Sequence, residues 1–321
     1  MRILSLDLTN IFGFRKAVFN FDPQLSMLHG PNGCGKSNIL NIVNTLCSPR
    51  QFFGRNFSMY FRKMILHEDY DPAYASYAWD GFAGPMKAIA TFDIDGEKKQ
   101  VSLEVNPALV KRIEDCAKDS SRMEEYSDLI TKVGIIKNEL PTEQMSYAFL
   151  TDADNPSNMS KFQINAEGAE KFLDIARAVY GYECLLEKHV YEFDSSVGKD
   201  IDFMTDFVVV KNDDGERHNP VRVHYRRMSA GEKKIATLLK QMCTPSQYNS
   251  YDIFLIDNLE LHIYAKRHKA LVDKLRQHFS DKQIIATTHS AVLIGIDDIP
   301  PYLPIHQLFD VIDIRKKCGI E

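Results

Sequence analysis

Residues Gly30-Pro31-Asn32-Gly33-Cys34-Gly35-Lys36-Ser37 read Gly-x-x-x-x-Gly-Lys-Ser, and the segments on either side restrict what this turn can be. Leu25-Ser26-Met27-Leu28-His29 is an apolar run of strand length. After the turn, Ile39, Leu40, Ile42, Val43 and Leu46 recur at helical spacing. A strand entering and a helix leaving a glycine-rich turn let backbone N–H groups converge on phosphate oxygens, with the positive end of the helix behind them. In that reading Asn32, Gly33, Cys34, Gly35 and Asn38 belong to a phosphate cradle, Lys36 reaches the β- and γ-phosphates, and Ser37 gives one oxygen to Mg²⁺. Cys34 lies beside Lys36 near a helix N-terminus, conditions that lower a thiol pKa, so alkylation is expected to block nucleotide binding and ATP to protect.

The chain of 321 residues is 44% hydrophobic and 26% charged, enough to bury a proper core. A formal net charge of -5 argues against a stand-alone nucleic-acid binder and leaves DNA contact to a local patch. Six scattered cysteines without a Cys-x-x-Cys pair argue against a zinc site or disulfide framework and for a reducing compartment. The N-terminus alternates like a strand and lacks the apolar core of a signal peptide. No apolar run approaches the roughly 20 residues of a membrane span. The expectation is a cytoplasmic protein with no membrane partner.

Residues 2–8, 16–21 and 25–29 read as strands leading into the phosphate loop, followed by a helix to about Leu46. Residues 50–86 are rich in aromatics with arginines among them, and read as an insertion packing its own small core or a partner. A stacking platform for single strands suits an acidic chain less well. Ala88–Ile94 and Gln100–Val105 alternate across Asp95-Gly96, a hairpin signal. Pro107 to about Leu140 reads as helical, with a new start at the capping-box pattern Ser121-Arg122-Met123-Glu124. A helix at Ala166 to about Ala178 and a strand at Phe207–Lys211 follow. The final third alternates helix from Gly231, strand Ile253–Ile256, helix Ala265–Phe279, strand Gln283–Thr287, helix near Ala291 and strand Leu308–Ile314. Strands alternating with helices imply an α/β fold with a mainly parallel sheet.

Three further segments bear on the site. Ile253-Phe254-Leu255-Ile256-Asp257 is an apolar strand ending in a carboxylate, where a Walker B aspartate would hold the Mg²⁺ shell opposite Ser37, although buried strands also end in Asp as a helix cap. Met228-Ser229-Ala230-Gly231-Glu232-Lys233 resembles the signature of ABC-type ATPases, and an ordinary serine N-cap with Glu at N3 has the same pattern. Thr287-Thr288-His289-Ser290 is similar to the family's switch-histidine segment. The order of the four segments is the family's, and the resemblance implies a P-loop NTPase fold. It is that of an ABC-type ATPase head with a mainly parallel sheet, an antiparallel β subdomain and a helical lobe. It implies ATP and Mg²⁺ as cofactors. It also implies a head-to-tail dimer in which Ser229 and Gly231 contact the γ-phosphate held by the other copy, while His289 senses the γ-phosphate.

Asn10-Ile11-Phe12-Gly13-Phe14-Arg15, the Gly-Pro-Asn-Gly-Cys-Gly-Lys-Ser-Asn-Ile-Leu run and Asp257-Asn258-Leu259-Glu260-Leu261-His262 resemble the SMC/RecF/OLD branch. Neither the long coiled coils of SMC and RecN proteins nor the Toprim domain of OLD nucleases is visible. The expectation is therefore one domain, 1–321, with an N-terminal lobe (1–145), a helical and signature lobe (146–245) and a Walker B and switch part (246–321). Where the family places a catalytic Glu after Asp257, this chain has Asn258, whose amide orients water but accepts no proton. Glu260 or His262 would then take over, and a slow ATPase and a nearly inactive nucleotide clamp both stay open. Gln144 and Gln163 are candidates for the lid glutamine. The leading functional expectation is a DNA- or phage-sensing switch controlling a separate effector such as a nuclease or toxin. A RecF-like repair ATPase and a nucleotide-bound scaffold are the alternatives.

Overall fold

The computed structural model describes residues 1–11, 14–30, 35–47, 86–105, 112, 115–116, 119–138, 147–150, 164, 166–195, 198–211, 220–244, 251–294 and 302–304. The chain opens with strands β1 (Arg2–Ile11), β2 (Phe14–Asn20) and β3 (Leu25–His29), then helix α1 (Lys36–Cys47). Strands β4 (Met86–Ile94) and β5 (Glu97–Val105), helix α2 (Met123–Val133), and strands β6 (Gly134–Asn138) and β7 (Tyr147–Leu150) come next. After helix α3 (Ala166–Tyr180) run strands β8 (Glu183–Ser195), β9 (Gly198–Lys211) and β10 (Val221–His224). The last stretch holds α4 (Ala230–Cys243), β11 (Ile253–Ile256), α5 (His268–His278), β12 (Gln283–Thr288), α6 (Ala291–Ile294) and β13 (Tyr302–Pro304).

Five strands pair in parallel in the order β13-β3-β12-β11-β7. Every residue of β11 and β12 is buried, as expected of continuous apolar runs in a parallel sheet covered on both faces. Because the strands run the same way, His29, Leu150, Ile256 and Thr288 end at one edge, where open α/β sheets bind ligands. A second, antiparallel sheet has the order β2-β1-β4-β5-β6. Its β4–β5 turn has Asp95 at φ 52° and Gly96 at φ 87°, the left-handed pair that matches hairpin twist. Gln283, fully buried at the start of β12, bolts the two sheets together. Its Oε1 accepts from Ile3 N–H at 2.7 Å, and its Nε2 donates to Ile3 O at 2.8 Å and Asp22 O at 2.9 Å. A buried amide satisfied on both ends is a specific joint that no apolar residue replaces.

The third sheet is β10-β9-β8, and α3, α4 and α5 pack behind it and the parallel sheet. Phe172 meets Phe207 edge-on at 4.9 Å and 81°, within a core that also takes Ile175, Leu239 and Leu271. No described helix is long and apolar enough to cross a membrane.

Most expected elements are present, and the exceptions have physical reasons. The helical stretch read from 107 to 140 ends at Val133. Gly134-Ile135-Ile136 then leaves as β6 along β5, because an open sheet edge offers β-branched residues more than another helical turn does. The cap before α2 is Asp119, whose Oδ1 accepts from Ser121 N–H at 2.9 Å, rather than Ser121 itself. The strand expected at 207–211 is the buried end of β9, which extends back to Gly198 in a hairpin with β8. The alternations Tyr191-Glu192-Phe193-Asp194 and Asp200-Ile201-Asp202-Phe203 were the available signal for it. Residues 50–85 and the strand expected at 308–314 lie outside the described residues.

Candidate functional site

The phosphate loop begins where β3 ends and closes on itself. Lys36, 5% exposed at the start of α1, donates from Nζ to Gly30 O at 2.8 Å across the turn. Gly35 sits at φ 98°, a conformation that favours glycine. Asn32, Gly33, Cys34, Gln144 and Gln163 lie outside the described residues. Asn38 is half-buried on α1, and Ser37 is exposed with its Oγ donating to Asp257 Oδ1 at 3.0 Å.

Asp257 follows β11 on the same sheet edge, its N–H bound to Leu150 O of β7 at 3.1 Å. The Thr287 hydroxyl donates to the same Asp257 Oδ1 at 2.6 Å and accepts the Asn258 N–H at 2.8 Å. Leu259 N–H donates to Thr287 O at 3.1 Å, so the loop after β11 is laced to the end of β12. Asn258 stands at φ 55° and His262 at φ 68°. The left-handed region suits Asn better than Glu, because a short amide hydrogen-bonds locally there. The residue after Asp257 therefore turns out of the strand direction. Glu260 Oε1 accepts the His289 N–H, while its Oε2 is buried with no partner among the described residues. A carboxylate oxygen in that state costs about 1–3 kcal/mol unless a donor reaches it.

Ser229 caps α4. Its Oγ accepts from Glu232 N–H at 3.3 Å, and Glu232 Oε2 accepts the Ser229 N–H and hydroxyl, each at 2.9 Å. Lys211 Nζ holds the other carboxylate oxygen at 3.0 Å. Burial pushes the Glu232 carboxyl up, but its bonds to Ser229 and Lys211 outweigh that and hold it below the usual range. Tyr225 and Met228, both buried, brace the turn before the cap and leave Arg226 and Arg227 exposed between them. A Cβ on Gly231 would stand 2.8 Å from His262 Cβ, so the glycine lets the start of α4 seat on the loop after β11. Between α4 and that loop lies a cavity of about 50 Å³ lined by Lys234, Thr237, Gln241 and Asn258 among others.

The chain thus brings Ser37, Asp257, Glu260 and His289 to one edge, and Gly231 joins Ser229 to that edge through His262. Thr287, the hub of the arrangement, was not singled out from sequence. A hydroxyl residue ending the strand beside the Asp257 strand was the available signal. The residues fit Mg·ATP: a hydroxyl and a carboxylate oxygen share one point opposite a lysine at a helix N-terminus, hard oxygen donors of the kind Mg²⁺ takes. Among the described residues no group of three or more His, Cys, Asp or Glu could hold a metal alone, so further ligands would come from phosphate and water.

A family model described as the RecF/RecN/SMC N-terminal domain matches residues 2–297. No curated protein matches the chain. Among solved structures, the SMC head domain from Thermotoga maritima superposes with a TM-score of 0.50 at 15% identity, over 93% of each chain. An Smc head bound to the C-winged helix domain of ScpA gives 0.51 at 15% identity, over 92% of this chain and 91% of that one. An Smc head with an extended coiled coil, bound to the C-terminal domain of ScpA derived from Pyrococcus furiosus, gives 0.50 at 13%, over 92% and 91%. At these identities the likeness is one of fold.

Proposed function

This chain belongs to the RecF/RecN/SMC N-terminal domain family, an ABC-type ATPase fold that binds ATP, and from that premise we propose a slowly hydrolysing nucleotide switch that works as a head-to-tail dimer. The phosphate loop, Lys36 and the N-terminus of α1 would hold the phosphates, and Ser37 with Asp257 would hold Mg²⁺. The ion would offset the negative charge of the terminal phosphates. The observation that carries the hydrolytic part is Glu260: one carboxylate oxygen fixes the His289 backbone, and the other is buried and lacks a donor. A water O–H supplies such a donor, and a carboxylate, unlike the Asn258 amide, can take the proton. Asn258 is occupied in shaping the loop, its N–H on Thr287 and its backbone left-handed. On this reading the base has moved two residues along the chain, which supports a slow ATPase over an inert clamp.

Ser229 uses its hydrogen bonds within its own helix end, and Leu261, Tyr264 and Val292 lie exposed near His262 and His289. An exposed apolar set beside the capped, outward-facing N-terminus of α4 supports a second copy closing over it and placing Ser229 on its nucleotide. The test mixes two inactive variants. Lys36→Ala and Ser229→Ala should each lose turnover, and a mixture should regain it, since a mixed dimer keeps one intact composite site. No recovery on mixing would exclude the head-to-tail arrangement.

The two similar heads bound to ScpA domains support a head read by a separate protein, here an effector such as a nuclease or toxin in anti-phage defence. Native mass with Mg·ATP, from a host carrying the neighbouring genes, tests this. A second polypeptide above the dimer mass supports it. A bare dimer with DNA-stimulated turnover favours the RecF-like repair role.

A further inference from the structure

His268 opens α5 and is 6% exposed, yet both ring nitrogens are engaged. Nε2 lies 2.9 Å from Ile263 O, and Nδ1 lies 2.7 Å from Ser290 Oγ. A carbonyl oxygen only accepts, so Nε2 carries a proton and donates to Ile263, while Nδ1 pairs with the Ser290 hydroxyl. Ser290 Oγ in turn accepts from Leu293 N–H at 3.3 Å, and Ser290 N–H donates to Thr288 Oγ1 at 3.0 Å. One imidazole therefore ties the end of the loop after β11 to the residue directly following His289. With Thr287 on Asp257 and His289 on Glu260, each residue from 287 to 290 is fastened to that loop, to α5 or to its own neighbour.

We propose that His268 is a positioning residue: it holds the His289-Ser290 turn against Ile263, so that closure of a second copy over Leu261–Tyr264 is felt at His289. Ile263 sits between exposed His262 and exposed Tyr264, and its carbonyl is where displacement of that surface would enter the relay. Without the imidazole, His289 is held at its backbone by Glu260 alone, and the pairing of base and switch loosens. Gln at position 268 keeps a donor for Ile263 and an acceptor for Ser290, whereas Phe keeps the ring volume and neither polar end.

This rests on the proposed hydrolysis, so the experiment reads both turnover and a signal that needs none. His268→Phe and Ser290→Ala should each lower kcat by about 10-fold with KM for ATP changed by less than about 2-fold, because misplacement acts on the reacting geometry rather than on nucleotide binding. The double variant should lose no more than either single one, and His268→Gln should recover most of the rate. In the same proteins, amide exchange at His289 and Leu293 should quicken while that at Asp257 stays as in the wild type. Unchanged kcat in both variants, additive losses, or no recovery with Gln would overturn the proposal. If His268→Phe does not fold, Ser290→Ala and its pairing with His268→Gln decide. If the wild type turns over no ATP, the hydrolysis reading fails by itself. Amide exchange then decides: faster exchange in the variants upholds the positioning role and unchanged exchange ends it.

Discussion

The loop after β11 and the turn before α4 lie against each other through Gly231 and His262, yet they are held in opposite ways. The loop is fastened from outside itself: Asp257 by Ser37, Thr287 and Leu150, Leu259 by Thr287, and Glu260 by His289. The signature turn is fastened mainly from within, by the reciprocal Ser229–Glu232 cap and by Tyr225 and Met228 tucked beneath it. Distributed anchoring fixes side chains relative to one another, which chemistry needs. Local anchoring presents a rigid end outward, which a partner needs. On the proposed function, the loop would serve reaction within one copy and the turn recognition by the next.

The strongest way to break that assignment is Glu260→Gln. Turnover should fall by about 10²–10⁴-fold, the usual value of a general base, with ATP affinity kept. Calorimetric ATP titration beside a phosphate-release assay separates the two. Turnover that survives would return the base to another group and leave the loop as scaffold. Gly231→Ala comes next. The new methyl meets His262 Cβ at 2.8 Å in a packed contact, for about 1–3 kcal/mol of lost stability by denaturant titration. His262→Gly in the same chain should recover most of it. Absence of recovery would mean that the glycine serves the partner's nucleotide alone.

Asn258→Glu sharpens the comparison from the other side. Restoring the family's carboxylate should not raise turnover, because position 258 is left-handed and its N–H is tied to Thr287. The substitution should instead cost about 1 kcal/mol, since Glu tolerates that conformation less well than Asn. A rate gain on substitution would show that the amide had disabled the site after all.

The order and spacing of Lys36, Ser37, Ser229, Asp257 and His289 made the fold and its ligand class readable, because each is a local pattern on an element whose periodicity is clear. What joins them was not readable. His268 and Gln283 act through partners 22 and 280 residues away, and nothing beside either one in sequence marks it, while Thr287, 30 residues from Asp257, stood in the switch segment without its role being visible. Asn258 looked like a lost base in sequence. Its left-handed turn is set by hydrogen bonds to β12, which a linear pattern does not contain. The helical reading failed at β6, where pairing with β5, rather than the segment's own periodicity, decides the structure.

The smallest expected effect concerns the cap itself. Glu232 has its carboxyl held below the ordinary value of 4.5 by the folded protein, against the upward push of burial. A depressed folded pKa adds stability that is fully present above the unfolded value and is lost as pH falls through the folded one. Denaturant midpoints should therefore hold level down to about pH 5 and decline below it, with Glu232 contributing to the slope. Glu232→Gln should cost about 1 kcal/mol at neutral pH, the scale of one helix cap, and should flatten part of the acid decline. Turnover in that variant should fall only as far as Ser229 loses its orientation, leaving ATP binding by the single chain untouched. An equal acid slope in both proteins would mean that the buried Tyr225 and Met228 hold the turn without the cap, and that its presented geometry belongs to packing rather than to charge.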